Sequence, residues 1–237
     1  MDNESSPYGR LPGADLWGSF YKKGAGSRYP DENLVRLLRG HYAPLPRTGR
    51  ALDVGFGTGS NLILLAQSGY EAHGVEVAEE CLETAGALGA ETDVTLSLKL
   101  IRDTVMPYPD NYFDLVIAWN SIYYHGSRSR VADALAELHR VLRPNGVLLL
   151  SVIHPNSSIV HRFSDDLGDG VHRIDKESPH DNRHGITIFY EARSSGWRSL
   201  LASFDPVEEG YAEADLFIPK RRDAWRLLYA KKPAAQR

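Results

Sequence analysis

Cysteine is nearly absent: Cys81 is the single one in 237 residues. No intrachain disulfide can form, which sets aside the disulfide-framed secreted folds. Positive charge is not in excess either. Lys and Arg number 27 against 31 Asp and Glu, for a net charge of −4, so bulk electrostatics give no case for a nucleic-acid partner. No run approaches the ~18 apolar residues that a membrane span requires. The opening residues, MDNESSPYGR, lack the apolar stretch of a signal peptide. Together these absences predict a cytoplasmic protein without membrane contact. A G-x-x-x-x-G-K-[ST] loop for a nucleoside triphosphate and a G-x-G-x-x-G loop for a dinucleotide are also missing. His161, His172, His180 and His184 lack the H-x-x-x-H spacing of a helical metal site, so no metal is expected.

Apolar residues make up 42% of the chain and charged ones 24%, enough for a sizeable core. Residues 1–45 read as a tail and cap. The first residues are polar, ADLWGSFYKKGAGSRYP mixes aromatics with glycines, and PDENLVRLLRGHY carries a helix with Pro30, Asp31 and Glu32 at its start. Residues 46–154 alternate strand and helix: ALDV, then SNLILLAQSG; EAHGVEV, then AEECLETAGALG; VTLSLKLI; YFDLVIAW, then RVADALAELHRVL stopped by Pro144 and Gly146; and GVLLLSVIH. That rhythm predicts a parallel sheet covered on both faces. Residues 155–187 are polar and turn-rich, which predicts a lid, mobile until ligands order it. Residues 188–237 add a helix in EARSSGWRSLLAS and two strands joined by a turn around Pro219. The whole chain, 1–237, is expected to form a single domain.

Three glycines, Gly55, Gly57 and Gly59, separate the first strand from its helix. There the chain must turn sharply, and a ligand can approach a backbone that carries no Cβ. The stretch LDVGFGTG resembles motif I of the class I S-adenosylmethionine-dependent methyltransferases. HGVEV is similar to that family's second strand, ending on Glu76 where the family places an acid for the ribose hydroxyls. RDTVMPYPDNYFDLVIAWNS resembles its D-x-x-x-LPF-x-D-x-x-FD-x-V stretch, with Met106 and Tyr108 in place of the common Leu and Phe. LHRVLRPNGVLLLSV is similar to the helix, turn and strand around its fifth strand. The resemblance implies a Rossmann-like, doubly wound α/β fold. Its mostly parallel seven-stranded sheet would carry an N-terminal helical cap and a lid insertion after the fifth strand. It also implies S-adenosyl-L-methionine as cofactor, with Asp53, Gly55, Gly57, Thr58, Gly59, Glu76, Val77, Asp103, Thr104 and Asn120 as its binding residues. Asp103 would meet the adenine amino group, and Asp53 would bind or only support the loop. Tyr21 and Arg28 would belong to a cap over the cofactor, Arg28 pairing with its carboxylate or standing as a surface arginine.

The acceptor side follows the fourth and fifth strands. Tyr123, Tyr124 and His125 would line an acceptor pocket, or the tyrosines would pack on the next helix. His154, first polar group past the fifth strand, would be a general base or a structural histidine; His125 and Tyr124 are the other catalytic candidates. The resulting expectation is methyl transfer to an O or N atom of a small molecule. The alternatives are a methyltransferase acting on RNA or protein and an inactive scaffold subunit. Oligomeric state stays open.

Overall fold

The computed structural model describes residues 14–22, 26–40, 42–175, 183–215 and 221–235. The expected tail before Ala14, His180 and the turn around Pro219 lie outside the described residues. Two helices precede the sheet, α1 (Ala14–Lys22) and α2 (Glu32–Arg39). Asp31 rather than Pro30 fixes the start of α2: its carboxylate accepts the N–H groups of Asn33 and Leu34, at 2.8 and 3.3 Å.

The alternating region forms β1 (Gly49–Val54), α3 (Ser60–Gln67), β2 (Tyr70–Glu76), α4 (Glu79–Glu91), β3 (Leu96–Leu100), β4 (Phe113–Trp119), α5 (Arg128–Val141) and β5 (Leu142–Ile153). The chain passes from α5 straight into β5. Pro144 and Gly146 therefore sit in the strand's first residues and not in a separate turn, with Asn145 left-handed at φ 67°. The last elements are α7 (Ser194–Leu200), β9 (Val207–Ala214) and β10 (Asp223–Lys231), after a folded insertion described below. The seven strands lie in the order β3-β2-β1-β4-β5-β10-β9. The first five are parallel, and β10 runs antiparallel between β5 and β9.

Both faces are covered, as the run of buried residues in β4, FDLVIAW, requires. Leu52, Val116 and Leu148 point to one face with Leu135 and Leu138 of α5 and Trp197 of α7. Ala51, Leu115 and Ile117 point to the other, against Leu34 of α2, Leu62 of α3 and Cys81 of α4. The pleat sends successive residues to opposite layers. What positions the site is the shared edge where β1, β2, β4 and β5 end, in the crevice where open α/β sheets bind ligands.

Among its described residues, the insertion after β5 is not unpatterned. It holds α6 (Ser158–Arg162) and a small antiparallel sheet of β6 (Ser164–Asp166), β7 (Val171–Ile174) and β8 (Thr187–Phe189). Ile174, Ile186, Ile188 and Phe189 are buried and join the core beside Trp197. Strands of three or four residues are too short for their alternation to stand out in a sequence. Among the described residues no helix is long and apolar enough to cross a membrane.

Candidate functional site

The three glycines are all left-handed, with φ of 73°, 55° and 85° for Gly55, Gly57 and Gly59, a region that side chains with a Cβ rarely enter. Each meets a different neighbour. A Cβ on Gly55 would stand 2.6 Å from that of Ser121, one on Gly57 2.6 Å from the Tyr21 hydroxyl, and one on Gly59 2.6 Å from that of Ala85. Gly59 thus serves the packing of α3 on α4, while the first two shape the crevice. Glu76, 6% exposed, accepts the Gly57 N–H at 3.2 Å through one oxygen and the Val77 N–H at 2.9 Å through the other. Burial pushes its pKa up, against the pull of the Val77, Gly57 and Ala78 N–H groups. Asp53 lies beneath, 1% exposed, with Oδ2 lacking a hydrogen-bond partner. Burial, and then the charge of Glu76, hold its pKa well above the ordinary carboxylate value.

Three adjoining cavities follow the strand ends. A narrow one of about 90 Å³ is lined by Gly55, Glu76, Val77, Asn120, Tyr124 and His125, among others. On one side, across Val77 and Ile101, lies a cavity of about 430 Å³ that reaches Arg102 and Lys22. On the other side lies a cavity of about 540 Å³, which shares Trp17, Tyr21, Asn120 and Tyr124 with the narrow one. Helix α1 roofs the row. Trp17 stacks on Tyr21 at 6.1 Å and meets Tyr124 edge-on at 4.7 Å. Lys22 pairs with Glu80 of α4 at 2.8 Å, and the Thr58 hydroxyl donates to the Ser27 carbonyl. Burial, then the charge of Glu76, push the Tyr21 pKa far up, so this hydroxyl stays protonated.

This row fits the cofactor that the sequence implies. Glu76 carries a buried carboxylate engaged only partly by backbone donors, suited to the two hydroxyls of a ribose. Gly55 of the loop lines the narrow cavity beside it, and apolar Val77 and Ile101 separate that cavity from the 430 Å³ one as the walls of a base site would.

The structure brings Gly55, Glu76, Val77, Asn120, Tyr21, Tyr124 and His125 together on the narrow cavity. Asp103 stands outside its lining, half-buried, and accepts the Val105 N–H at 2.8 Å. Thr104 beside it is 1% exposed with an unpartnered hydroxyl. Two of the candidate residues lie outside the three cavities. Arg28 does not reach the crevice: its exposed guanidinium pairs with Glu91, at the end of α4, at 2.7 Å. His154 lines none of the three cavities. Its N–H extends the β5–β10 ladder by bonding the Ala224 carbonyl at 3.1 Å. Ile153 faces the 540 Å³ cavity, so the pleat turns His154 the other way. There its ring stacks on Tyr211 at 5.7 Å and its Nδ1 accepts the Asn156 N–H at 3.1 Å. His125 does line the narrow cavity, but burial, then the Arg130 charge, lower its pKa to about 4. It is a neutral, weak base.

Sequence reading missed Ser151, Arg183 and the Arg221–Asp223 pair. Ser151 had a signal: it is the one polar residue in GVLLLSVI, and it clamps Asn120. Arg183 and Arg221 had none, because the cavity they line is assembled from the insertion and the start of β10.

Residues 51–146 match the family model described as "Methyltransferase domain". A putative methyltransferase of Bacillus subtilis, YqeM, is 32% identical over 123 residues, 52% of this chain and 49% of that protein. The chain therefore spans about half the length of that relative. A putative methyltransferase of Geobacillus sp., GWCH70_2453, is 29% identical over 184 residues, 71% of this chain and 74% of its own. Among solved structures, the 1,6-didemethyltoxoflavin-N1-methyltransferase of Burkholderia thailandensis, bound to 1,6-didemethyltoxoflavin and S-adenosylhomocysteine, shares the fold. Its TM-score is 0.66 at 18% identity, over 93% of this chain and 87% of that one. Residues 51–146 thus resemble a methyltransferase domain, and the fold is that of solved S-adenosylmethionine-dependent methyltransferases.

Proposed function

We propose that this protein transfers a methyl group from S-adenosylmethionine to an O or N atom of a small molecule. The observation that carries the reading is the pair of cavities, about 90 and 540 Å³, that meet at Trp17, Tyr21, Asn120 and Tyr124. One lies on the glycine loop and Glu76; the other is closed by α1, the insertion and the start of β10, and has the size of a small-molecule site.

Glu76 would accept the ribose hydroxyls, Gly55 would leave its backbone open to the methionine part with Gly57 tying the loop to Glu76, and Val77 and Ile101 would flank the adenine, with Asp103 and Thr104 following Ile101 in the chain. Asp53, Thr58 and Gly59 shape the loop from beneath and behind. Bound there, the cofactor supplies a methyl group already activated by a positive sulfur. The chain's own work is to align the acceptor and exclude water. Trp17 and Tyr21 cover the junction of the cavities, while Asn120 and Tyr124 form its wall. His154 has no part in it.

Incubation with methyl-labelled S-adenosylmethionine tests the reading against three acceptor sets: small phenols and amines, total RNA, and total protein. Label should move to small molecules. Label in RNA or protein alone would replace the reading with the macromolecular one. No transfer to any set, with the cofactor bound, would favour a scaffold role.

A further inference from the structure

Asn120 follows β4 in a left-handed conformation, φ 54°. Its N–H donates to the Ser151 hydroxyl at 3.2 Å, and that hydroxyl in turn donates to Asn120 Oδ1. Ser151 is 1% exposed and lies opposite Trp119 in the β4–β5 ladder, so the clamp belongs to the rigid middle of the sheet. The amide oxygen is thereby turned to Ser151. The arm of Asn120 left for the two cavities it borders is Nδ2, a donor. Tyr124, which lines both cavities with Asn120, accepts from Arg183 at its hydroxyl oxygen and keeps its own proton to donate. Of the four residues shared by the two cavities, Asn120 and Tyr124 already accept at their side-chain oxygens. Among the described residues lining the larger cavity, Asp223 is the carboxylate, and both its oxygens accept from Arg221, at 3.2 and 3.1 Å. Glu76 and His125 line the narrow cavity and not the larger one.

We infer that the methyl acceptor is an oxygen acid, an aromatic or enolic hydroxyl, which binds as its anion against the Asn120 amide and the Tyr124 hydroxyl. This rests on reading the larger cavity as the acceptor site. An oxyanion offers lone pairs to both donors, and charge-assisted hydrogen bonds are the stronger kind. An amine would turn N–H groups toward donors. The walls suit a flat ring, with Phe20, Tyr123, Phe163 and Trp225 around about 540 Å³. No base is needed. The acceptor loses its proton to water before binding. Its oxygen electron pair then forms the bond to the methyl carbon, the carbon–sulfur pair stays with sulfur, and an anion and a cation become two neutral molecules.

The test uses the full chain saturated with S-adenosylhomocysteine, so that no turnover occurs, and 4-nitrophenol as probe, followed by the absorbance of its anion across pH. Bound 4-nitrophenol should titrate about one pH unit lower than free, a tenfold preference for the anion. Asn120→Ala and Ser151→Ala should each remove most of that shift, and Ser151→Thr, which keeps the hydroxyl, should retain it. 4-Nitroaniline should bind about tenfold more weakly. With S-adenosylhomocysteine bound, an unshifted or raised titration, equal binding of the aniline, a shift that survives Asn120→Ala, or no binding of either probe would overturn the inference alone. Failure of S-adenosylhomocysteine itself to bind would overturn the methyltransferase reading and this inference with it.

Discussion

The Gly57 N–H donates to the buried carboxylate of Glu76 at 3.2 Å, tying the loop after β1 to the end of β2. On its other side, the position of a Gly57 Cβ is only 2.6 Å from the Tyr21 hydroxyl. Gly57→Val should therefore lose S-adenosylhomocysteine binding by calorimetry while the chain keeps its circular dichroism. The left-handed backbone costs a side chain roughly 1–2 kcal/mol, less than a domain's usual stability. Undiminished affinity in the folded variant would remove the loop from the site.

His125 should make the protein acid-sensitive. Burial lowers its pKa from 6.5 to about 4, so the unfolded chain takes up a proton that the folded one refuses. The contribution is fully present above pH 6.5 and is lost as pH falls through 4, about 3 kcal/mol at most. Urea unfolding of wild type and His125→Gln between pH 7 and 4 should show a shallower loss in the variant. Parallel curves would mean that His125 is not held neutral.

Asp53 should act in the opposite direction. Its raised pKa means that its contribution is most favourable below the unfolded carboxylate value and is lost as pH rises through the folded one. At neutral pH, Asp53→Asn should then raise the melting temperature of the ligand-free chain, with the gain shrinking in acid. A lower melting temperature at neutral pH would show that the charge is compensated within the loop.

His154→Ala should change turnover by no more than about twofold. Its ring lies outside the cavities and stacks on Tyr211, a half-open contact worth under about 1 kcal/mol. A loss of 10²–10⁴, the usual contribution of a positioned base, would return the residue to the active site.

The contrast between Glu76 and His154 shows what the sequence could carry. Glu76 closes a strand whose neighbours on both sides are parallel and regular, so its place at the crevice follows from strand order alone. His154 closes a strand too, but which way it points depends on one more rung of pairing with Ala224, far along the chain. Arg28 was left open between two roles for a similar reason: a long flexible cation in a loop takes whichever carboxylate is closest, here Glu91 at the end of α4. The sheet was legible because β1, β4 and β5 carry contiguous buried runs in alternation with helices. The insertion was not, because its core residues, Ile174, Ile186 and Ile188, are scattered among polar turns and find their partners on α7 and in the main sheet.

Calorimetric titration of S-adenosylhomocysteine into wild type and Glu76→Ala is the most direct test of a cofactor site at the ends of β1 and β2. Wild type should bind one equivalent. Loss of a carboxylate that accepts from both ribose hydroxyls should cost roughly 1.5–3 kcal/mol, about ten- to a hundredfold in affinity, with Glu76→Gln at the mild end. A folded wild type that binds none, or a Glu76→Ala variant that binds as tightly, would contradict it.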